Sequence, residues 1–158
     1  MLYEIEKKAL MIQKRQKFYI LIKIYYFIMK IPKHIQNIIN NQEVHILSTS
    51  TKEGVPNIIY LKFLKVYDDN QILIANNKFS KTEKNLIENP RISFIVLDKE
   101  NRKAYQIKGT VEIHKDDKIY EDTVEWVKTE RPDMDSPKSG VILNVEKIYS
   151  GAEKIFEE

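Results

Sequence analysis

The sequence predicts a mainly β fold of the α+β class, in which an antiparallel, barrel-like sheet carries short helices at its ends. Three observations lead to this prediction. Six short runs are rich in β-branched and aromatic residues, most of them are linked directly by turn residues, and only about three stretches have helical spacing. Strands joined in adjacent pairs favour antiparallel pairing, whereas a doubly wound fold would alternate strands with helices.

The first half of the domain contains one helix and three strands. After Pro32, the residues Ile35, Ile38 and Ile39 lie at helical spacing, which predicts a helix over residues 33–41. The strands that follow are residues 44–50, 57–66 and 71–76, separated by turns at residues 52–54 and 67–70.

The second half contains two helices and three strands. One helix begins at Ser80 and ends before Pro90, and another is predicted over residues 115–130. The strands are residues 91–97, 105–113 and 140–145, the last with an extension toward residue 148, and residues 149–158 are interpreted as a polar tail. Gly109 lies inside a strand and indicates a bulge or a bend.

Length and composition exclude several classes of protein. A chain of 158 residues is the size of one ordinary domain, and 42% hydrophobic with 31% charged residues is typical of a folded protein. The absence of cysteine excludes disulfide scaffolds, thiolate zinc sites, iron–sulfur clusters and cysteine nucleophiles. It is compatible with the reducing cytoplasm, where we expect the protein.

The charge is distributed unevenly. The formal net charge is +3, but residues 1–34 hold eight Lys/Arg and two Asp/Glu, so residues 35–158 sum to −3. A nucleic-acid-binding domain usually concentrates basic residues on its folded part. We therefore expect no nucleic-acid partner.

The basic N-terminal stretch is interpreted as a leader, residues 1–28, before a domain at residues 29–158. Its apolar run at residues 18–29 is about twelve residues long and contains Lys23, whereas a membrane span needs roughly 20 residues. No small-residue cleavage site follows. Three interpretations stay open: a helix that packs on the domain, a membrane-surface anchor, or an upstream start codon with native translation from Met29.

Catalytic and metal-binding motifs are sparse. His34, His45 and His114 have no second ligand at metal-binding spacing, so we expect no metal site. The sequence contains no GxSxG, P-loop or GxGxxG motif. Nucleophilic hydrolysis is therefore not expected, and we assign no catalytic side chain.

The segment NNKFSKTEKNLIENP, residues 76–90, is the most informative one. Here a strand ends and a helix begins at Ser80, with Lys81 and Thr82 in its first turn. Unpaired backbone N–H groups and the positive end of the helix dipole favour an anion at such a place. Ser80 with Glu83 also fits a capping box, which would explain these two residues by helix stability. Lys81 is not explained by a cap, because a cation is unfavourable at this end unless an anion is bound.

The order of elements resembles the pyridoxamine 5′-phosphate oxidase-like, FMN-binding split-barrel superfamily. The likeness extends over roughly residues 35–151, and its best-matching parts are Ser80-Lys81-Thr82, Asn85-Leu86 and Asn89-Pro90-Arg91. The resemblance implies a six-stranded split barrel that binds FMN as a homodimer, with the flavin near the subunit interface. It also implies that Lys81 and Thr82 bind the FMN phosphate with assistance from Ser80.

The same resemblance assigns residues along the flavin. The second barrel strand would contribute Tyr60, Leu61, Lys62 and Phe63, and the end of the next strand would contribute Ala75 and Asn76. Ordinary strand alternation also requires one side of these strands to be core. The oxidase proper has an Arg where this chain has Tyr60 and a C-terminal Trp and Arg motif that this chain lacks, which argues against the vitamin B6 reaction.

We expect an FMN-dependent oxidoreductase with an unidentified substrate and electron donor. Two alternatives stay open: a non-enzymatic FMN carrier or electron-transfer protein, and a barrel without flavin that serves as a binding module. The sequence also leaves open whether a deazaflavin or heme replaces FMN.

Overall fold

The computed structural model describes residues 10–20 and 30–157. Residues 10–20 are helical, and their apolar side chains, among them Leu10 and Phe18, are exposed. Residues 21–29 of the predicted leader run lie outside the described residues. The internal contacts divide the chain into residues 1–30 and 31–158. Among the described helices, none is long and apolar enough to cross a membrane.

Residues 31–157 form three helices and eight strands. The helices are α1 Lys33–Asn41, α2 Lys81–Glu88 and α3 Lys118–Glu130. The strands are β1 His45–Ser50, β2 Pro56–Leu61, β3 Leu64–Asp68, β4 Gln71–Asn76, β5 Arg91–Asp98, β6 Lys103–His114, β7 Ser139–Ser150 and β8 Glu153–Glu157. The predicted helices and the start and end of most strands agree with these bounds within three residues.

All strand pairs are antiparallel, and the strand order is β2-β1-β5-β6-β7-β4-β3, with β8 on β7. Consecutive strands β2 and β3 therefore lie at opposite ends of the path. The curled sheet is open between them, which is the arrangement of a split barrel. The fold class predicted from the sequence is confirmed.

The strand count differs from the six expected because the run at residues 57–66 is divided. The backbone N–H of Leu64 donates to the carbonyl of Lys62 at 3.1 Å, and this turn redirects the chain. The residues before it pair with β1, and those after it pair with β4. A continuous apolar run in the sequence gives no sign of this change of partner.

The second difference is at the C-terminus, where the expected polar tail is strand β8. Gly151 has a positive φ of 60°, which returns the chain onto β7. Phe156 is 5% exposed and belongs to the core. The predicted bulge at Gly109 is confirmed by a register shift between β6 and β7. A Cβ at Gly109 would lie 1.9 Å from the carbonyl oxygen of Asn144, so a side chain does not fit there.

The core fills the inside of the curled sheet and the surface beneath α1. Its largest fully buried side chains include Ile35, Leu47, Phe94, Ile107 and Leu143. Helix α2 packs on β1 and β2, and α3 packs on β4 and β7. The first turn of α2 is thereby held beside β2, and this placement creates the site described next.

Candidate functional site

A groove of about 640 Å³ opens at the split between β2 and β3. It is bounded by β2 and the turn after it, the end of β4, the first turn of α2 and the loop after α3. The residues that line it are Asn57, Ile58, Ile59, Tyr60, Leu61, Lys62, Phe63, Ala75, Asn77, Lys78, Phe79, Ser80, Lys81, Thr82, Arg131 and Met134. A volume of this size suits a small-molecule ligand.

The structure brings eight of the nine predicted site residues to this groove. They are Tyr60, Leu61, Lys62, Phe63, Ala75, Ser80, Lys81 and Thr82. The ninth, Asn76, is 1% exposed and is not among the lining residues. Residues from three separate segments of the sequence thus share one surface, although what they bind stays a prediction.

The predicted capping box at the start of α2 is wrong. Ser80 occupies the N-cap position, but its side chain makes no capping hydrogen bond. Glu83 instead lies 3.2 Å from Lys115 Nζ, because the β6 end approaches this helix. The first intrahelical bond runs from the N–H of Lys84 to the carbonyl of Ser80. The earlier N–H groups and the exposed Ser80 hydroxyl are consequently left for a ligand or water.

Two cations stand beside this helix start. Lys78 and Lys81 are both exposed, and neither has a carboxylate within ion-pair distance among the residues that the structure describes. The other lining cations are paired: Lys62 Nζ lies 3.2 Å from Glu43, and Arg131 lies 3.1 Å from Asp133. No Asp or Glu is among the described lining residues, so this end of the groove favours an anion.

Thr82 differs from its neighbours because it is buried, with 1% of its surface exposed. Its Oγ1 accepts a hydrogen bond from Asn57 Nδ2 at 3.0 Å. Asn57 Nδ2 also donates to Thr49 Oγ1 at 3.2 Å, and Asn85 Nδ2 donates to the same oxygen at 3.1 Å. The hydroxyl of Thr82 is therefore bonded directly to β2 and, through Asn57, is linked to Thr49 of β1.

Asn76 shapes the loop that leads to α2. Its Oδ1 accepts from the backbone N–H of Phe79 at 2.9 Å, and its Nδ2 donates to Ser139 Oγ at 3.0 Å. Its carbonyl accepts from the N–H of Lys138 at 2.7 Å. Both polar atoms of the Asn76 side chain and its carbonyl are therefore engaged within the protein, behind the groove.

The other end of the groove is largely apolar. Leu61 and Phe63 are each 9% exposed, whereas Tyr60 is 77% exposed and points outward from β2. The Phe63 ring contacts the Trp126 ring edge to face, with centroids 5.5 Å apart. Lys65 Nζ lies 4.2 Å from the centre of the Trp126 ring. Burial lowers the pKa of the Lys65 ammonium group. Trp126 thus packs behind the groove wall.

The three histidines lie elsewhere. His34 is exposed, and His114 Nδ1 lies 2.6 Å from Asp117 Oδ2. This contact, with the N–H of Tyr120, lowers the pKa of Asp117. His45 is completely buried, and burial lowers its pKa to about 4. None of the three lines the groove.

Sequence reasoning missed Asn57, Asn77, Lys78, Arg131 and Met134 as groove residues. Asn77 and Lys78 lie just before the Ser80-Lys81-Thr82 triplet, separated from it only by Phe79. Asn57 and Arg131 reach the groove because segments distant in the sequence pack together, and the local sequence gives no indication of this packing.

Comparison with known proteins identifies the family. The family model described as pyridoxamine 5′-phosphate oxidase matches residues 31–150. The chain belongs to this family. An uncharacterised protein of Methanocaldococcus jannaschii is 34% identical over 110 residues, which are 68% of this chain and 72% of that protein. The family resemblance noted in the sequence is thereby confirmed.

Solved structures with the same fold include an FMN-binding protein and a heme storage protein. HupZ of Group A Streptococcus is 26% identical, with a TM-score of 0.70 over 81% of this chain and 99% of that one. An FMN-binding protein from Syntrophomonas wolfei is 20% identical, with a TM-score of 0.62 over 90% and 98% of the two chains. HutZ, a heme storage protein from Vibrio cholerae, is 16% identical, with a TM-score of 0.58 over 82% and 98%. These similarities establish the split-barrel fold.

Proposed function

We propose that this member of the family is an FMN-binding flavoprotein, an oxidoreductase whose substrate is not identified, and that it acts as a homodimer. The observation that carries the proposal is the pairing of two chemistries in one groove. A helix start with hydroxyls and unpaired cations forms one end, and aromatic and aliphatic side chains form the other. FMN has the matching two ends, a phosphate and a flat ring system.

The cationic end would hold the phosphate. A phosphomonoester carries about −1.5 to −2 charges near pH 7, which matches the two cations Lys78 and Lys81. Ser80 and Thr82 add hydroxyls, and the first turn of α2 adds backbone N–H groups. These are the donors that bind phosphate groups in proteins.

The apolar end would hold the ring. Leu61, Phe63 and Ala75 give a wall that excludes water, and Tyr60 stands at its outer edge. Bound FMN supplies hydride or electron transfer, and the protein supplies anchoring and electrostatic tuning. Lys62 beside the ring would favour the anionic reduced flavin.

Among the cofactors that the sequence left open, the groove favours a flavin phosphate over heme. Heme iron is commonly held by a histidine, a cysteine or a methionine. The chain has no cysteine, and its three histidines are absent from the groove lining. Within residues 10–20 and 30–157, Met134 is the single groove-lining residue of these three types.

An exposed apolar surface on the outside of β1, β2 and β5 supports the homodimer. In the sheet register, Ile46 lies between Tyr60 and Ile95. These three residues are 55%, 77% and 43% exposed, and Ile58 and Leu97 extend the surface. Contiguous apolar surface of this kind marks a protein interface. Because Tyr60 also lines the groove, a second copy on this surface would place the flavin beside the interface.

Titration with FMN and with riboflavin tests the proposal on the full chain. Riboflavin has the same ring but no phosphate, so flavin fluorescence quenching should give tighter binding of FMN by at least about tenfold. Equal affinities for FMN and riboflavin would contradict the proposed phosphate site. No binding of either flavin would overturn the flavoprotein assignment. Rapid turnover with a defined small-molecule acceptor would then distinguish an enzyme from a carrier.

A further inference from the structure

Four polar side chains form a closed set behind the groove. Thr49 of β1, Thr82 and Asn85 of α2 are 5%, 1% and 4% exposed, and Asn57 of β2 is half-buried and reaches the groove. Three hydrogen bonds of 3.0–3.2 Å join them in the order Thr82, Asn57, Thr49, Asn85. Buried polar groups of this kind normally satisfy one another fully.

Three hydrogens of this set, on Thr49, Thr82 and Asn85, have no acceptor among the described groups, and only Thr82 of these residues lines the groove. Asn57 Nδ2 has two hydrogens, and it directs one to Thr82 Oγ1 and one to Thr49 Oγ1. An amide nitrogen does not accept hydrogen bonds, so the hydroxyl hydrogen of Thr82 must go elsewhere. No acceptor for it exists among the described protein groups, and Thr82 lines the groove.

We propose that Asn57 is a positioning residue, which fixes the Thr82 hydroxyl as a hydrogen-bond donor to a phosphate in the groove. This inference rests on the proposed flavin function and deepens it. A free hydroxyl rotates among staggered positions, whereas a hydroxyl that already accepts one bond has its hydrogen restricted to the remaining directions. Such preorganisation raises affinity by reducing what binding must order.

Asn57 also sets the distance between the two ends of the groove. It lies on β2, three residues before Tyr60, and its hydrogen bonds tie this strand to α2 through Thr82 and to β1 through Thr49. Asn85 completes the link from α2 to Thr49. The network thereby holds the phosphate end in register with the wall that would face the ring.

The test compares two ligands in one variant. In Asn57→Ala we expect FMN affinity to fall by about fivefold to tenfold, because the Thr82 hydrogen bond to the phosphate is weakened but not removed. Riboflavin affinity should stay within about twofold, because riboflavin does not reach Thr82. Asn89→Ala is the matched control, since Asn89 is a half-buried amide at the C-terminal end of α2 that bonds Ser50 instead. It should leave both affinities unchanged.

A double-mutant cycle shows whether Asn57 acts through Thr82. In a Thr82→Val background, Asn57→Ala should cost no further FMN preference, whereas independent effects would add. Asn57→Ser, which can donate only one hydrogen bond, serves as a second variant with the same expected selective loss. Equal losses for FMN and riboflavin, or additive losses in the cycle, would overturn the positioning role only. If the unmodified chain does not prefer FMN to riboflavin, the proposed function fails as well.

Discussion

Removal of the anion-binding side chains at the start of α2 should weaken FMN binding strongly while leaving the fold intact. The perturbation is Lys81→Ala combined with Thr82→Ala. Lys81 is exposed and has no carboxylate partner among the described residues, so its loss breaks no ion pair of the protein. Thr82 is buried, but its Oγ1 contributes one neutral hydrogen bond.

The magnitude follows from the two lost contacts. A charge-assisted hydrogen bond contributes about 1.5–3 kcal/mol, and a neutral hydroxyl bond about 0.5–1.5 kcal/mol. The loss should therefore be about 2–4 kcal/mol, which corresponds to roughly 30-fold to 1,000-fold in affinity. The Lys78 charge and the backbone N–H groups stay in place, so we expect weakened binding rather than complete loss.

Isothermal titration calorimetry or flavin fluorescence quenching at fixed ionic strength measures the change in FMN affinity. Lys84→Ala is the matched control, because Lys84 is an exposed cation on the same helix that does not line the groove. It should change affinity by less than about threefold, through long-range charge alone. An FMN affinity of the double variant within threefold of the unmodified protein would refute the assignment of the phosphate to this helix start.

Three further predictions concern acid stability, redox tuning and assembly. Because the pKa of His45 is about 4 in the fold against an ordinary 6.5, the unfolded state binds more protons between these values. The free energy of unfolding should fall by about 3 kcal/mol from pH 6.5 to 4, and urea titrations of His45→Leu should show a shallower decline; equal slopes would contradict this. Lys62→Glu should lower the reduction potential of bound flavin by on the order of 30 mV in spectroelectrochemical titration. An unchanged reduction potential would show that Lys62 does not lie beside the flavin ring. Ile95→Lys should convert a dimer to a monomer in light scattering, whereas Ile87→Lys, at an isolated exposed apolar position on α2, should not; a monomeric unmodified chain would contradict the interface.

Local patterns in the sequence were sufficient for most of the fold. The helix over residues 33–41 and the strand over residues 71–76 agree with the structure at both ends, because hydrophobic spacing and turn residues act within a few positions. The division of residues 57–66 into β2 and β3 was not predictable, since strand partners are chosen by the whole sheet. Strand β8 was missed for a similar reason: five mixed residues acquire strand structure only by pairing with β7.

The residues that line the cationic end of the candidate site were predicted from the sequence, but the hydrogen bonds that hold them in place were not. The triplet Ser80-Lys81-Thr82 is contiguous, so its residue types and its place at a helix start were visible in the sequence. The capping box was wrong because Glu83 finds Lys115, which is 32 positions away. Asn57 was missed because its contact with Thr82 joins residues 25 positions apart, and only the packing of α2 on β2 brings them together.

The crystal structure of the full chain with FMN tests the central claim most directly. We expect the phosphate at the start of α2, within hydrogen-bond distance of Lys81 Nζ and Thr82 Oγ1, and the ring against Leu61 and Phe63. A flavin whose phosphate lies elsewhere, or a groove that stays empty at saturating FMN, would contradict the account.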